Sequence, residues 1–240
     1  MKKRVVVLID GENFRYSLKA LFPSRFNYLP KKANWLRLFS LPLSEDHELI
    51  RIYWYVVDSL HFRPFEIPES ENELEAVLMK VVSTKLELKR NESRKEDYLK
   101  EKRDQLKRTR SAIRNRFSEW DRIQDKIAHA YDYLEFRRCG SITYNLLTND
   151  FEREKGIDVK LAIDLLLFKD ISDLAILFSG DQDYVPAIQS YKDSGKHIFA
   201  VNFETSNKRI LPGGSYVLTR LVDKVVTIRQ EDIVELVEEF

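Results

Sequence analysis

The sequence predicts an α/β fold, a Rossmann-like parallel sheet flanked by helices, with a long inserted helical hairpin. Short apolar runs rich in β-branched residues alternate with amphipathic segments, the pattern of strands separated by helices. Acidic motifs directly follow two of these runs, at the sheet edge where open α/β proteins bind their ligands. Between the two motifs lies a long, highly charged segment without glycine or proline, which predicts extended helix.

The first 70 residues are predicted to supply two strands. Residues 5–9 form an apolar run that ends at Asp10-Gly11, as expected for a strand that leads through a turn into a helix. Asn13 is expected to cap that helix. The other predictions for this part are a helix over residues 31–39, a strand over residues 49–57 and a loop over residues 58–70.

Residues 71–134 are predicted to form a helical hairpin or coiled-coil arm with its turn near Asn91. Apolar residues recur at every seventh position, a register that a disordered segment would not keep. They are Leu99, Leu106, Ile113, Trp120, Ile127 and Leu134. We therefore expect a discontinuous α/β domain, formed by residues 1–70 and 135–240, and a separate helical insertion.

The alternating pattern returns after the insertion. Strands are predicted over residues 135–139, 174–178 and 197–201, and helices over residues 155–168, 185–194 and 230–239. Because helices separate the strands, we expect the strands to run parallel, with helices on both faces of the sheet.

Composition excludes several classes of protein. Cys139 is the only cysteine, so it has no partner for an intramolecular disulfide or a thiolate metal site, and a reducing, cytoplasmic location is favoured. No run of about 18 apolar residues occurs, so no membrane span is expected. The chain also lacks the glycine-rich loops of nucleotide-binding enzymes.

The net charge of +1 gives no global sign of nucleic-acid binding, but the insertion is locally basic. Residues 100–122 contain nine lysines and arginines against four acidic residues. A basic face on this helix could bind phosphates. The alternatives are a solvated helix and a dimerisation arm that uses the heptad positions.

Four aspartates form the candidate chemical site. Asp10 follows the first strand, Asp181 and Asp183 follow the strand over residues 174–178, and Asp158 begins a helix that faces the same edge. If the two strands are neighbours, these carboxylates converge and repel one another, and a hard divalent cation such as Mg²⁺ removes that cost. Any one of them alone is more simply explained as a turn former or a helix cap, but the set predicts a metal site.

Three segments resemble the NYN domain family, PIN-like nucleases that include the LabA-type proteins. They are LIDGEN with Asp10 and Asn13, KGIDVKLAIDLL with Lys155, Asp158 and Asp164, and LFSGDQDYVPAI with Ser179, Asp181 and Asp183. The resemblance implies a PIN-like α/β fold over roughly residues 4–57 and 135–228. The helical insertion is a departure from the smaller members of that family.

The resemblance also implies an activity. It is the hydrolysis of RNA phosphodiester bonds by a metal-dependent, endoribonuclease-type enzyme that leaves 5′-phosphate and 3′-hydroxyl ends. The alternative is a catalytically weak NYN module that binds RNA or a protein partner through the helical arm. RNA is the expected partner, with DNA as a second candidate, and the insertion could also mediate a homodimer.

The site residues carried over from the family fall into two groups. Mg²⁺ or Mn²⁺ would be held by Asp10, Asp158, Asp181 and Asp183. Asn13 and Ser179 would orient ligands or substrate, and Lys155 would contact a substrate phosphate. Asp164 falls on a different face of its helix from Asp158 and is given a supporting role.

Overall fold

The computed structural model describes residues 2–23, 28–30, 33–152, 154–212 and 216–237 and shows a mixed α/β protein. Its strands are β1 (Lys3–Asp10), β2 (His47–Arg63), β3 (Leu134–Asn145), β4 (Asp150–Phe151), β5 (Leu174–Phe178), β6 (His197–Glu204), β7 (Ile210–Leu211) and β8 (Lys224–Arg229). They form one sheet in the order β4-β3-β2-β1-β5-β6-β7, and β8 pairs with β6.

The helices cover most of the segments between the strands. They are α1 (Gly11–Leu21), α2 (Trp35–Ser40), α3 (Glu71–Leu78), α4 (Val82–Arg90), α5 (Lys95–Ala130), α6 (Ile157–Leu167), α7 (Val185–Asp193), α8 (Tyr216–Leu221) and α9 (Gln230–Val237). Within the described ranges, no helix combines the length and the apolar character that a membrane crossing requires.

β1 lies inside the sheet and brings two strand ends together. It pairs in parallel with β2 on one side and with β5 on the other, and β6 continues the parallel order beside β5. Ile9, near the end of β1, pairs with Phe178 at the end of β5. The predicted α/β fold is therefore confirmed, and the strands that precede Asp10 and Asp181 are neighbours whose carboxyl ends meet at one edge.

The unbroken apolar run of β1 reflects burial on both faces. Residues 5–9 are fully buried between the neighbouring strands, and both α1 and α6 contact β1. A parallel strand covered on both faces is expected to be apolar at every position rather than at alternate ones. This burial delivers Asp10 to the edge of the sheet on a rigid support.

The turn from β1 into α1 depends on Gly11 and Asp10. A Cβ atom at Gly11 would lie 2.2 Å from the carbonyl oxygen of Tyr55 in β2, so no larger side chain fits there. Asp10 has an extended backbone, and its side chain accepts a hydrogen bond from the backbone N–H of Asn13. Asp10 therefore caps α1, and the prediction that Asn13 is the cap is wrong, because Asn13 already lies within the helix.

β2 is longer than predicted, and residues 58–63 of the expected loop belong to it. Phe62 is buried and Leu60 packs against the same apolar cluster, whereas His61 and Arg63 are exposed. This alternation of buried and exposed side chains is the pattern of a strand. The prolines that indicated a loop follow only after Arg63.

Contacts between Cα atoms divide the chain into two compact units. The first unit comprises Met1–Val56, Ile123–Cys139 and Gly156–Phe240, and the second comprises Val57–Arg122 and Gly140–Lys155. The predicted insertion of residues 71–134 does not share these boundaries. The two units are defined by contacts between residues, whereas the predicted insertion is a segment that folds separately. That residues 71–134 form a separate domain therefore stays a prediction.

The second unit contains α3, α4 and most of α5, whose last residues, from Ile123 onward, belong to the first unit. α4 ends at Arg90, a single 3-10 turn spans Glu92–Arg94, and α5 then runs for 36 residues. The apolar positions bury a common core whose fully covered members include Leu74, Leu78, Leu88, Leu99 and Leu106. The last predicted heptad position, Leu134, begins β3 instead of continuing the helix.

Candidate metal centre

Three carboxylates converge at the edge where β1 and β5 end. Asp158 lies in the first turn of α6, Asp181 follows β5 and caps a short 3-10 helix, and Asp183 lies within that helix. One carboxylate oxygen from each of the three lies within 4.8 Å of the other two. Asp158 and Asp181 are partly buried, and Asp183 is exposed. The structure thus brings together three of the four aspartates predicted as metal ligands.

Asp10 lies behind this group and is 1% exposed. Its Oδ2 atom accepts hydrogen bonds from the Asn13 amide at 2.8 Å, the Ser179 hydroxyl at 3.0 Å and the Tyr184 hydroxyl at 3.1 Å. Burial raises the pKa of the Asp10 carboxyl to about 6, although these hydrogen bonds oppose the rise. Asp10 is therefore engaged by protein donors rather than grouped with the other three aspartates.

Tyr184 connects Asp10 to the group of three. Its hydroxyl lies 3.1 Å from Asp10 Oδ2 and 3.0 Å from Asp158 Oδ1. Burial raises the pKa of Tyr184 far above its ordinary value, and the charges of the two carboxylates raise it further. The hydroxyl accordingly remains protonated and acts as a hydrogen-bond donor. It carries one proton, so it donates to one of the two carboxylates at a time.

Asn13 and Ser179 both support Asp10. The Ser179 side chain is fully buried, donates to Asp10 and accepts a hydrogen bond from the backbone N–H of Asp181 at 3.1 Å. It therefore links the end of β5 to the end of β1. Asn13 is partly exposed and contacts Asp10 through both its backbone and its side-chain N–H groups. In this arrangement the roles predicted for Asn13 and Ser179 would act through the position of Asp10.

Lys155 belongs to the second unit, where its backbone pairs with Ser141 in an isolated bridge. The residue is exposed and immediately precedes Gly156, which begins the last segment of the first unit. Its predicted contact with a substrate phosphate stays a prediction.

Asp164 has a different environment from the metal candidates. It is 1% exposed and accepts hydrogen bonds from Tyr55 at 2.9 Å, from Lys160 at 2.7 Å and from Arg137. Burial opposes ionisation of this carboxyl, but the hydrogen bonds from Lys160, Arg137 and Tyr55 hold its pKa below the ordinary value. Two cations balance its charge, and its hydrogen bonds to Tyr55 and Arg137 connect α6 to β2 and β3.

The sequence did not identify Tyr184 or Arg137 as parts of these networks. Tyr184 stands in the Ser-Gly-Asp-Gln-Asp-Tyr segment, but its apolar ring gives no sign that the hydroxyl turns towards two carboxylates. Arg137 lies in a segment of β3 whose basic residues are equally typical of an edge strand. In the structure it pairs with Asp164, and its guanidinium carbon lies 4.2 Å from the ring centroid of Tyr53.

The donor set of the acidic group fits a hard divalent cation. Three carboxylate oxygens lie close enough to share one ion, and oxygen donors are the ligands that Mg²⁺ and Mn²⁺ prefer. Asp164 does not belong to this group and forms ion pairs with Arg137 and Lys160. Asp158, Asp181 and Asp183 are thus the residues that could hold a metal.

One comparison with known proteins, a match to a family model, supports the fold. Residues 96–212 match the family model of the NYN domain, a segment that contains Asp158, Asp181 and Asp183 and begins after Asp10 and Asn13. No curated protein matches the chain at the significance applied. A crystal structure of a Vibrio parahaemolyticus protein of unknown function is similar over 95% of this chain and 93% of that one, with 12% identity and a TM-score of 0.45. At that level the similarity carries no inference.

Proposed function

We propose that this chain, of which residues 96–212 match the family model of the NYN domain, is a PIN-like, metal-dependent ribonuclease that hydrolyses RNA phosphodiester bonds. The observation that carries the proposal is the convergence of the carboxylates of Asp158, Asp181 and Asp183 at the ends of neighbouring parallel strands. PIN-like nucleases generally use divalent metals. Mg²⁺ or Mn²⁺ is accordingly the proposed cofactor, and an endonucleolytic cut that leaves a 5′-phosphate is the proposed outcome.

In this proposal the three converging aspartates hold the ion. When bound there, the divalent ion would activate a water molecule and stabilise the charge that develops on the phosphate. Asp183 is exposed, and Asp158 and Asp181 are partly buried, so Asp183 is the most accessible of the three to a substrate.

Asp10 is proposed as an indirect member of the site rather than a primary ligand. Its oxygens accept two hydrogen bonds from Asn13 and one from Ser179, and they share the single hydroxyl proton of Tyr184 with Asp158. Through Tyr184 it fixes the position of Asp158, and through Ser179 it fixes the backbone at Asp181. Asp10, Asn13 and Ser179 therefore act by positioning the carboxylates that face the substrate.

The test is cleavage of labelled single-stranded RNA, structured RNA and matching DNA with Mg²⁺, Mn²⁺ or EDTA. We expect RNA cleavage that requires a divalent ion and falls by at least about 100-fold in Asp181→Asn, equivalent to about 2.7 kcal/mol of transition-state stabilisation. The matched control is Asp170→Asn, which removes an exposed carboxylate from the turn after α6. It should cleave like the wild type.

Two results would contradict the proposal. Equal cleavage by wild type and Asp181→Asn would indicate a contaminating nuclease. Absence of cleavage from folded wild-type protein with every substrate and metal would instead favour the alternative, a catalytically weak module that binds RNA or a protein partner.

A further inference from the structure

Five aromatic side chains of the second unit form a continuous series, which we call the aromatic row. In order they are Phe62, Tyr144, Phe151, Trp120 and Phe117. Successive ring centroids lie 6.5, 4.9, 6.1 and 5.9 Å apart. Phe62 and Tyr144 are buried, whereas the rings at the other end reach the surface, with Phe151 37% exposed.

Three arginines of α5 lie over the rings of this row. The guanidinium carbons of Arg110 and Arg114 lie 5.0 and 6.0 Å from the ring centroid of Phe62. The guanidinium carbon of Arg116 lies 5.5 Å from the ring centroid of Trp120. Arg114 and Arg116 are exposed, and Arg110 is partly exposed. Stacking on the rings holds the three cations at the surface without cancelling their charge.

In the described part of the chain, carboxylates balance the charge of three lysines of α5 but not the charge of these three arginines. Lys95, Lys102 and Lys107 of the same helix form ion pairs with Glu75, Glu87 and Glu69. Among the residues that the structure describes, Arg110, Arg114 and Arg116 have no carboxylate within 4.0 Å. Arg110, Arg114 and Arg116 therefore carry positive charge that lies directly beside the aromatic row and is not balanced by a carboxylate of the described residues.

We propose that the Trp120 and Phe151 rings, together with Arg110, Arg114 and Arg116, form a surface that binds single-stranded RNA. The role of this surface in binding substrate rests on the proposed nuclease function. Guanidinium groups pair with phosphates, and exposed aromatic faces stack on unpaired bases. A duplex keeps its base faces inside the helix, so this surface is expected to prefer single strands. The repulsion between the acidic metal centre and phosphates is a reason for the chain to bind RNA elsewhere as well.

The test is binding of a fluorescein-labelled 16-nucleotide oligouridylate, followed by fluorescence polarisation in EDTA so that cleavage cannot contribute. The surface variant is Arg110→Gln/Arg114→Gln/Arg116→Gln. The control is Lys85→Gln/Lys89→Gln/Arg90→Gln, which removes the same charge from exposed positions of α4 in the same unit.

The surface variant is expected to weaken binding by at least about 10-fold and to flatten the slope of log Kd against log salt by about 2, because each contact with a single strand contributes about 0.7. The control should stay within about 2-fold of the wild type. Trp120→Leu should weaken binding by about 10-fold without changing the salt slope, because it removes stacking and no charge. Urea unfolding of each variant verifies that the second unit is folded. If the triple variant does not fold, Arg116→Gln alone removes one of the three charges and tests the same surface.

Three outcomes would overturn the inference: equal loss in the surface and control variants, unchanged binding in Trp120→Leu, or competition by polyglutamate as effective as that by unlabelled RNA. These outcomes are separable from the nuclease proposal. Cleavage by a protein whose binding ignores the surface variant would leave the proposed function intact. Binding through these residues without any cleavage would support the surface and contradict the nuclease.

Discussion

A buried hydrogen bond of 3.1 Å joins the Tyr184 hydroxyl to Asp10 Oδ2, and the same hydroxyl lies 3.0 Å from Asp158. The residue that follows Asp183 in the chain therefore links the carboxylate behind the acidic group to one of its three members. This contact makes Tyr184 a positioning residue for the proposed metal centre.

Tyr184→Phe is expected to lower cleavage by about 10- to 100-fold, because a hydrogen bond to a charged group contributes about 1.5–3 kcal/mol. It should also raise the Mn²⁺ concentration that gives half-maximal activity, since Asp158 loses its fixed position. The control is Tyr191→Phe, which removes another buried hydroxyl, one that lies 2.8 Å from Ser172. If Tyr184→Phe and Tyr191→Phe lower cleavage equally, the positioning role of Tyr184 is rejected.

Mn²⁺ is expected to stabilise the protein in the absence of RNA. At a concentration about 100 times its Kd, an ion that binds only the folded state adds about 2.7 kcal/mol to the free energy of unfolding. Thermal unfolding with Mn²⁺ or EDTA measures this difference. Asp183→Asn should remove most of the stabilisation, whereas Asp170→Asn should retain it. Equal stabilisation of both variants would argue against the three-carboxylate site.

Asp10 is expected to make the unfolding of the metal-free protein depend on pH. Burial raises its pKa from 3.8 to about 6, so the folded state binds the proton more tightly than the unfolded state does. Its stabilising contribution is complete below about pH 4 and is lost as the pH rises through 6. Relative to Asp10→Asn, the wild type should lose up to about 3 kcal/mol over this window. Urea unfolding in EDTA measures the difference, and a constant offset at every pH would contradict it.

Asp164 is expected to show the opposite dependence. Hydrogen bonds from Lys160, Arg137 and Tyr55 hold its pKa below the ordinary value despite burial, so its contribution to stability is present at neutral pH and lost as the pH falls through its folded pKa. Asp164→Asn should cost about 3 kcal/mol at pH 7, because it leaves Arg137 without its buried partner. The cost should shrink in acid. Urea unfolding of the wild type and of Asp164→Asn at a series of pH values measures this cost. A cost that stays constant in acid would contradict the prediction.

Gly11→Ala is expected to destabilise the fold by about 3 kcal/mol or more, because the new methyl group collides with the backbone of β2 at Tyr55. The matched variant is Gly195→Ala. Gly195 has a φ of +79° but open space around its Cβ position, so its replacement costs only backbone strain of about 1 kcal/mol. Urea unfolding of both variants compares the two costs. If the two variants lose similar free energies of unfolding, the backbone around Gly11 must shift to accommodate the methyl group.

Much of the architecture was predictable because it depends on local pattern. The apolar run before Asp10 and the one before Ser179 predicted two buried strands, and the structure pairs them as β1 and β5. The end of β2 was not predictable in the same way. Pro64 and Pro68 suggested a loop over residues 58–70, but Leu60 and Phe62 find an apolar cluster that continues the strand.

The sequence by itself determined which acidic residues follow which strands, because strand and turn patterns depend on neighbouring residues. Only the tertiary structure decided the environment of each carboxylate. Asp158, Asp181 and Asp183 meet, whereas Asp10 is enclosed by protein donors and Asp164 is neutralised by Arg137 and Lys160. The physical reason is that burial and hydrogen-bond partners come from residues distant in the chain, and these set the pKa and the accessibility of chemically identical groups.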